Sequence, residues 1–238
     1  MQRVAGAYRL ATVGLAVLIL GVDVGSVRRK GGFAWASSDG LLRGQDDPSK
    51  LGAVVTSTIR EGRRVAVAFE CPLSVPVPGP GGSSWRDLGR ARTGEGNRSW
   101  SAGAGTGALA TGLVQLAWLC RYLVEHSAAA PQATTQVNRF LASDASLLIA
   151  EAMVTSDGKP EPVDGRQDHA DALAAAKRLA EILKALQGGA STPADVSCSP
   201  HSALNLAAAA AMQAGLTIRA DELRQDVLVA KVRPVFAG

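Results

Sequence analysis

Apolar residues along this chain come in two rhythms: short unbroken runs, and longer stretches spaced at helical intervals. The runs at 17–23 (VLILGVD), 33–36 (FAWA), 65–69 (VAVAF) and 146–150 (SLLIA) predict buried strands. A strand covered on both faces loses the apolar–polar alternation of a half-exposed one. The first two runs are joined by a short basic, glycine-containing turn, which predicts an antiparallel hairpin. A short third strand is expected at 41–43, after the turn Ser38-Asp39-Gly40. Asp46-Asp47-Pro48 opens a helix over 48–61, with Asp47 as cap, Leu51, Val54, Val55 and Ile59 on one face, and Gly62 at its end. Residues 106–125 are apolar nearly all round and predict a buried helix; 136–142 predict a short one. Asp164 is read as the cap of a helix running to Gln187, stopped by Gly188-Gly189. Ser199-Pro200 is read as the start of an Ala-rich helix ending at Gly215, and 226–232 as a last strand. The strand–helix–strand order favours parallel pairing of 17–23 with 65–70. The fold class is therefore α/β, a mixed sheet flanked by helices.

Acids punctuate this pattern. Asp23 ends the first run, Glu70 follows the 65–69 run and Glu151 follows the 146–150 run. A carboxylate at the end of a buried strand is costly unless a cation or backbone N–H groups meet it. Parallel neighbours would bring Asp23 and Glu70 to one edge, the carboxyl end where open α/β sheets bind ligands. On the helix after Asp164, Asp168 and Asp171 stand at i, i+3 and share a face. Such a pair is ordinarily a solvated surface, but here it borders a run of small packing residues. The five acids form an all-oxygen donor set, which favours Mg²⁺ or Mn²⁺ over zinc.

Composition narrows the picture further. The chain has 238 residues, 47% of them hydrophobic and only 4% aromatic, so its core is aliphatic and small. The net charge of +4 tolerates a polyanionic partner without demanding one. Cys71, Cys120 and Cys198 are widely spaced, which suits neither a disulfide framework nor zinc and fits a reducing, cytoplasmic setting. The apolar run Leu10–Val22 has the length of a signal-peptide core and is too short for a membrane span. It leads straight into GVDVGS, so residues 1–15 are read as an N-terminal extension to one domain over 16–238, with no membrane partner. Residues 76–105 hold eight glycines, three prolines, Trp85, Trp100, Arg86, Arg90, Arg92 and Arg98. A long loop of basic and aromatic residues is either a solvated linker or a contact for phosphates and stacked bases.

The ordered set of motifs resembles the RNase H-like superfamily: a strand ending in D-x-G-S (Asp23 to Ser26), a glycine before the second strand, an acid ending the central strand, and a helix with D-x-x-D-A-L-A from Asp168. GVDVGS and QDHADALAAA are similar to RuvC-type resolvases. VAFECPLSVPVP, EGNRSWSAGAG and LIAEAMV resemble a bacterial family of uncharacterised, predicted RNase H-like nucleases. The resemblance covers roughly residues 16–185. It implies a nuclease that hydrolyses DNA or RNA phosphodiesters through two Mg²⁺ or Mn²⁺ ions. It makes Asp23 the first-strand ligand, Glu70 the central-strand ligand, and Asp171 with Asp168 the helix ligands. Glu151, without a fixed role in the resolvase pattern, is a supporting or alternative ligand. Ser26, Arg28, Arg90 and Arg98 are the candidate substrate contacts, and a homodimer stays open. Two other functions compete: a non-catalytic binding or scaffold module on the same fold, and an actin-like phosphotransferase using GVDVGS as a phosphate loop. The second normally needs two related domains, for which the chain has little room.

Overall fold

The first apolar run forms β1 (Leu18–Asp23), which pairs antiparallel with β2 (Ala34–Ser37) and sets Asp23 opposite Ala34. β2 pairs antiparallel with β3 (Arg43–Gln45). Helix α1 (Pro48–Arg60) then carries the chain to β4 (Val65–Phe69), which lies parallel to β1 with Phe69 beside Val22. Next come β5 (Ser74–Val77), α2 (Gly103–His126), β6 (Ala133–Thr134) and α3 (Val137–Leu141). They lead to β7 (Leu147–Met153), parallel to β4. Then follow α4 (Gln167–Gln187), β8 (Ser202–Asn205), α5 (Leu206–Ala214) and β9 (Val229–Lys231). This computed structural model describes residues 17–96, 99–154, 158–190 and 194–233. The extension assigned to 1–15 and the candidate Arg98 lie outside them.

Among the described residues the main sheet has seven strands, ordered β3-β2-β1-β4-β7. β6 and β9 follow one another along the far edge of β7, β6 at Leu147–Leu148 and β9 at Glu151–Met153. β5 and β8 make a separate antiparallel ribbon. Helices cover both faces of the sheet, so the expected α/β architecture is present. Val65, Val67, Phe69, Leu147 and Ile149 point to one face, where they pack with α1, α2 and α5. Ala66, Ala68, Leu148, Ala150 and Ala152 point to the other, against Ala175, Leu179, Ile182 and Leu183 of α4. Two buried faces explain why these strands read as continuous apolar runs.

α4 lies unusually close to β1. A Cβ built on Gly21 would meet the carbonyl oxygen of Ala172 at 2.1 Å and the amide nitrogen of Ala176 at 2.6 Å. Ala172, Ala175 and Ala176 are fully buried in this contact. Only residues without bulk on both sides allow it.

Several boundaries differ from expectation for identifiable reasons. The third strand starts at Arg43 because the preceding turn is longer: Ser37 N–H donates to the Leu42 carbonyl, and Asp39 accepts from Leu41 N–H. β7 does not end before Glu151 but runs on to Met153, since β9 continues the pairing. α4 starts at Gln167 without a side-chain cap. Asp164 instead sits in a left-handed turn (φ 51°) and ion-pairs with Arg43. Residues after Ser199-Pro200 form β8, and α5 begins only at Leu206, where Asn205 accepts from the Ala208 N–H. The last strand is trimmed to 229–231. Among the described residues α2 alone is long and apolar enough to cross a membrane, by length and composition. It is not buried all round: Leu116, Leu119, Cys120 and Leu123 pack inward while Val114 and Trp118 face outward.

The Gly21 contact makes a direct prediction. Gly21→Ala should destabilise the protein by about 2–3 kcal/mol through overpacking. Gly79→Ala, where the added methyl meets nothing within 4 Å, should change stability by under about 0.5 kcal/mol. Urea unfolding of both variants measures the difference.

Candidate metal centre

Strand parity decides which acids meet. Side chains alternate faces along a strand. Asp23 therefore shares the α4 face with Ile19 and Gly21, and Glu70, one residue past β4, continues the parity of Ala66 and Ala68. The parallel register that sets Val22 beside Phe69 brings the two acids side by side. α4 crosses directly above, and Asp171, adjacent to the Ala172 that touches Gly21, completes the group. One carboxylate oxygen from each of Asp23, Glu70 and Asp171 lies within 4.8 Å of the others.

These acids repel one another, and the consequence is measurable. Burial, followed by the charge of Asp171, raises the Asp23 pKa from 3.8 to about 6; a hydrogen bond shared with Glu70 works the other way. Asp171 is met from both sides, by Gln167 Nε2 on Oδ1 (2.7 Å) and by Lys159 Nζ near Oδ2 (3.3 Å). The loop that follows Asp23 is held by Gln115 of α2, whose amide donates to the Gly25 carbonyl at 2.5 Å. Past it, the hairpin turn closes tightly. Gly25 and Gly32 touch so closely that a Cβ on Gly25 would lie 2.1 Å from the Gly32 carbonyl oxygen. Ser26 accepts from Arg29 N–H in this turn, and Arg28, Arg29 and Lys30 are displayed to solvent.

The other sequence candidates go elsewhere. Asp168 is near enough for its charge to act on Asp23, but both its oxygens accept from Arg166, which holds its pKa below the ordinary value against the effect of burial. Glu151 has the parity of Leu147 and Ile149 and so points to the opposite face of the sheet. There it receives Arg92 through two hydrogen bonds of 2.7 Å each and the Leu73 N–H at 2.8 Å. Glu95 takes a further Arg92 bond at 3.1 Å, and the Ser74 carbonyl takes another at the same distance. All three charged groups are sealed from solvent. Burial alone would lower the Arg92 pKa; Glu151 and Glu95 outweigh it and hold the guanidinium protonated. Glu151 is thus the anchor of the glycine-rich loop and not a member of the acid trio. Arg90 of that loop is exposed and bonded to Asp87. The loop also contains a 3₁₀ turn at Ser84–Asp87 and a bridge from Thr93 to Ser197.

Sequence reasoning missed Lys159, Arg166, Gln167 and Gln115. Gln167 had a legible signal, since it stands four residues before Asp171 on the same helix face. Gln115 had none, because only the fold brings α2 to Gly25.

The trio suits a hard divalent cation. Its donors are all carboxylate oxygens, their charges are mutually unfavourable without a counter-ion, and they span little more than the ligands of one Mg²⁺ or Mn²⁺ ion do. Comparison of the chain with family models, with curated proteins and with solved structures returns no match.

Two outcomes follow from this electrostatics. In EDTA, the raised Asp23 pKa contributes stability that is fully present below pH 3.8 and lost as the pH rises through about 6. Asp23→Asn should therefore be more stable than wild type near pH 8, by about 1–3 kcal/mol, and the gap should close near pH 4; thermal melts at both pH values check it. Glu151→Ala should behave oppositely, losing about 3–5 kcal/mol because a buried guanidinium loses its bidentate partner and keeps only Glu95. Denaturant unfolding, compared with Asp23→Asn, separates the two kinds of acid.

Proposed function

We propose that this protein is a metal-dependent nuclease that hydrolyses phosphodiester bonds of DNA or RNA. The observation that carries the reading is the convergence of Asp23, Glu70 and Asp171 from β1, the end of β4 and α4. These are the elements on which the RNase H-like resemblance places its ligands. The antiparallel β1–β2–β3 unit followed by parallel β4 and β7 supports the same relationship.

In this reading Asp23, Glu70 and Asp171 would hold Mg²⁺ or Mn²⁺, and Asp168 stays beside them on its bidentate partner Arg166. A metal held there would supply Lewis-acid polarisation of the phosphate and a lower pKa for the attacking water. The chain's own groups do the rest. Gln115 fixes the turn after Asp23, Gln167 orients Asp171, and the basic turn at Arg28, Arg29 and Lys30 receives the phosphate backbone beside the acids. The buried, unpaired cysteines Cys71, Cys120 and Cys198 suit a reducing compartment, here proposed to be the cytoplasm.

The deciding experiment is cleavage of single-stranded RNA and DNA, duplexes, an RNA–DNA hybrid and a four-way junction in Mg²⁺ and Mn²⁺. Wild type should cut at least one substrate, and Asp23→Asn should cut it on the order of a hundredfold more slowly. Equal cutting by the folded variant would overturn the site, and no cutting of any substrate by wild type would favour a binding module.

A further inference from the structure

Lys159 stands in the segment leading to α4, with its ammonium 3.3 Å from Asp171 Oδ2. Asp171 is almost fully buried, whereas the lysine side chain is 43% exposed. Its charge is also felt at Asp23. On its other side Lys159 lines an open cleft of about 830 Å³ that runs along the outer face of α4 past Leu173, Ala174 and Lys177. The stem can therefore swing from Asp171 into the cleft without unpacking a core residue. A compact, hydrated ammonium on a flexible chain is suited to such an exchange, where a guanidinium locked by a planar bidentate bond is not.

We infer that Lys159 competes with the divalent cation for Asp171, and that metal binding releases its ammonium to hold the substrate phosphate. This rests on the metal-dependent nuclease reading and extends it. One buried carboxylate cannot serve an ammonium and a metal ion at full strength, because each draws on the same negative charge. A phosphate bound to a metal on Asp171 would also lie within reach of an ammonium already in contact with that carboxylate. Lys159 thus couples the two binding events: it weakens metal binding in the free protein and strengthens substrate binding once metal is present.

The test uses the full chain with Lys159→Met, which keeps the length of the stem and removes its charge, and Lys177→Met as a cleft control. Mn²⁺ binding is followed by calorimetry at low salt. Retention of single-stranded RNA and DNA oligonucleotides is followed in Ca²⁺, by fluorescence anisotropy. Lys159→Met should bind Mn²⁺ about three- to tenfold more tightly than wild type. It should also retain the better-bound oligonucleotide several-fold less well, with a shallower salt dependence. Lys177→Met should leave Mn²⁺ affinity unchanged. If wild type binds Mn²⁺ and Lys159→Met binds it no more tightly, the inference is overturned while the metal site stands. Oligonucleotide retention that ignores the substitution overturns it equally. If neither protein binds Mn²⁺, the metal-site reading itself fails and takes the inference with it.

Discussion

The distance between α4 and β1 is the constraint on which the site depends. Gly21 accepts the backbone of Ala172 and Ala176 against its own Cα, with no side chain between. Asp23 is two residues further along the strand, and Asp171 is one residue back along the helix. Backbone contact at one point therefore sets two carboxylates from distant parts of the sequence above one another. Glu70 joins through the β1–β4 hydrogen-bond ladder, which fixes its position along the strand axis. None of the three acids needs a long or adaptable side chain, because the backbone carries them to the meeting point.

The same sheet handles buried acids in two different ways. On the α4 face three carboxylates are gathered, Asp171 with a lysine and a glutamine beside it, and burial and the charge of Asp171 raise the pKa of Asp23. On the opposite face, Glu151 is matched by a bidentate arginine, a backbone amide and a neighbouring loop. The first arrangement costs stability and leaves capacity for a cation. The second uses that capacity up. Buried pairs of the second kind are weak contributors to net stability but costly to break, so their effect is to fix where a segment docks.

The architecture was legible in the sequence because its strands are apolar runs and α1 has a clear cap and face. The antiparallel first hairpin and the parallel β1–β4 pair followed from turn chemistry and crossover length. Asp23 and Glu70 were legible as acids ending buried strands, and Asp171 as half of an i, i+3 pair with Asp168 on one helix face. Glu151 looks like another strand-end acid because its apolar run stops at Ala150. Counting parity from Leu147 and Ile149 would have put it on the wrong face. Its partner Arg92 lay in a segment with no periodicity, and pairing across 59 residues leaves no local trace. α5 and β8 were blurred for a similar reason. Alanine-rich sequence reads as helix throughout, and only the partner strand β5 draws Ser202–Asn205 into extended form.

The Arg92 anchor changes what the glycine-rich segment is. A stretch of 30 residues between 76 and 105 would, if tied only at its ends, sweep a large volume. Fastened near its middle to the sheet's interior, it becomes two short arcs, one from β5 to Arg92 and one from Glu95 to α2. Chain length inserted in the first arc is therefore absorbed before it reaches α2, whose Gln115 steadies the turn after Asp23. The loop's surface can vary in length and composition while the acid trio stays in register.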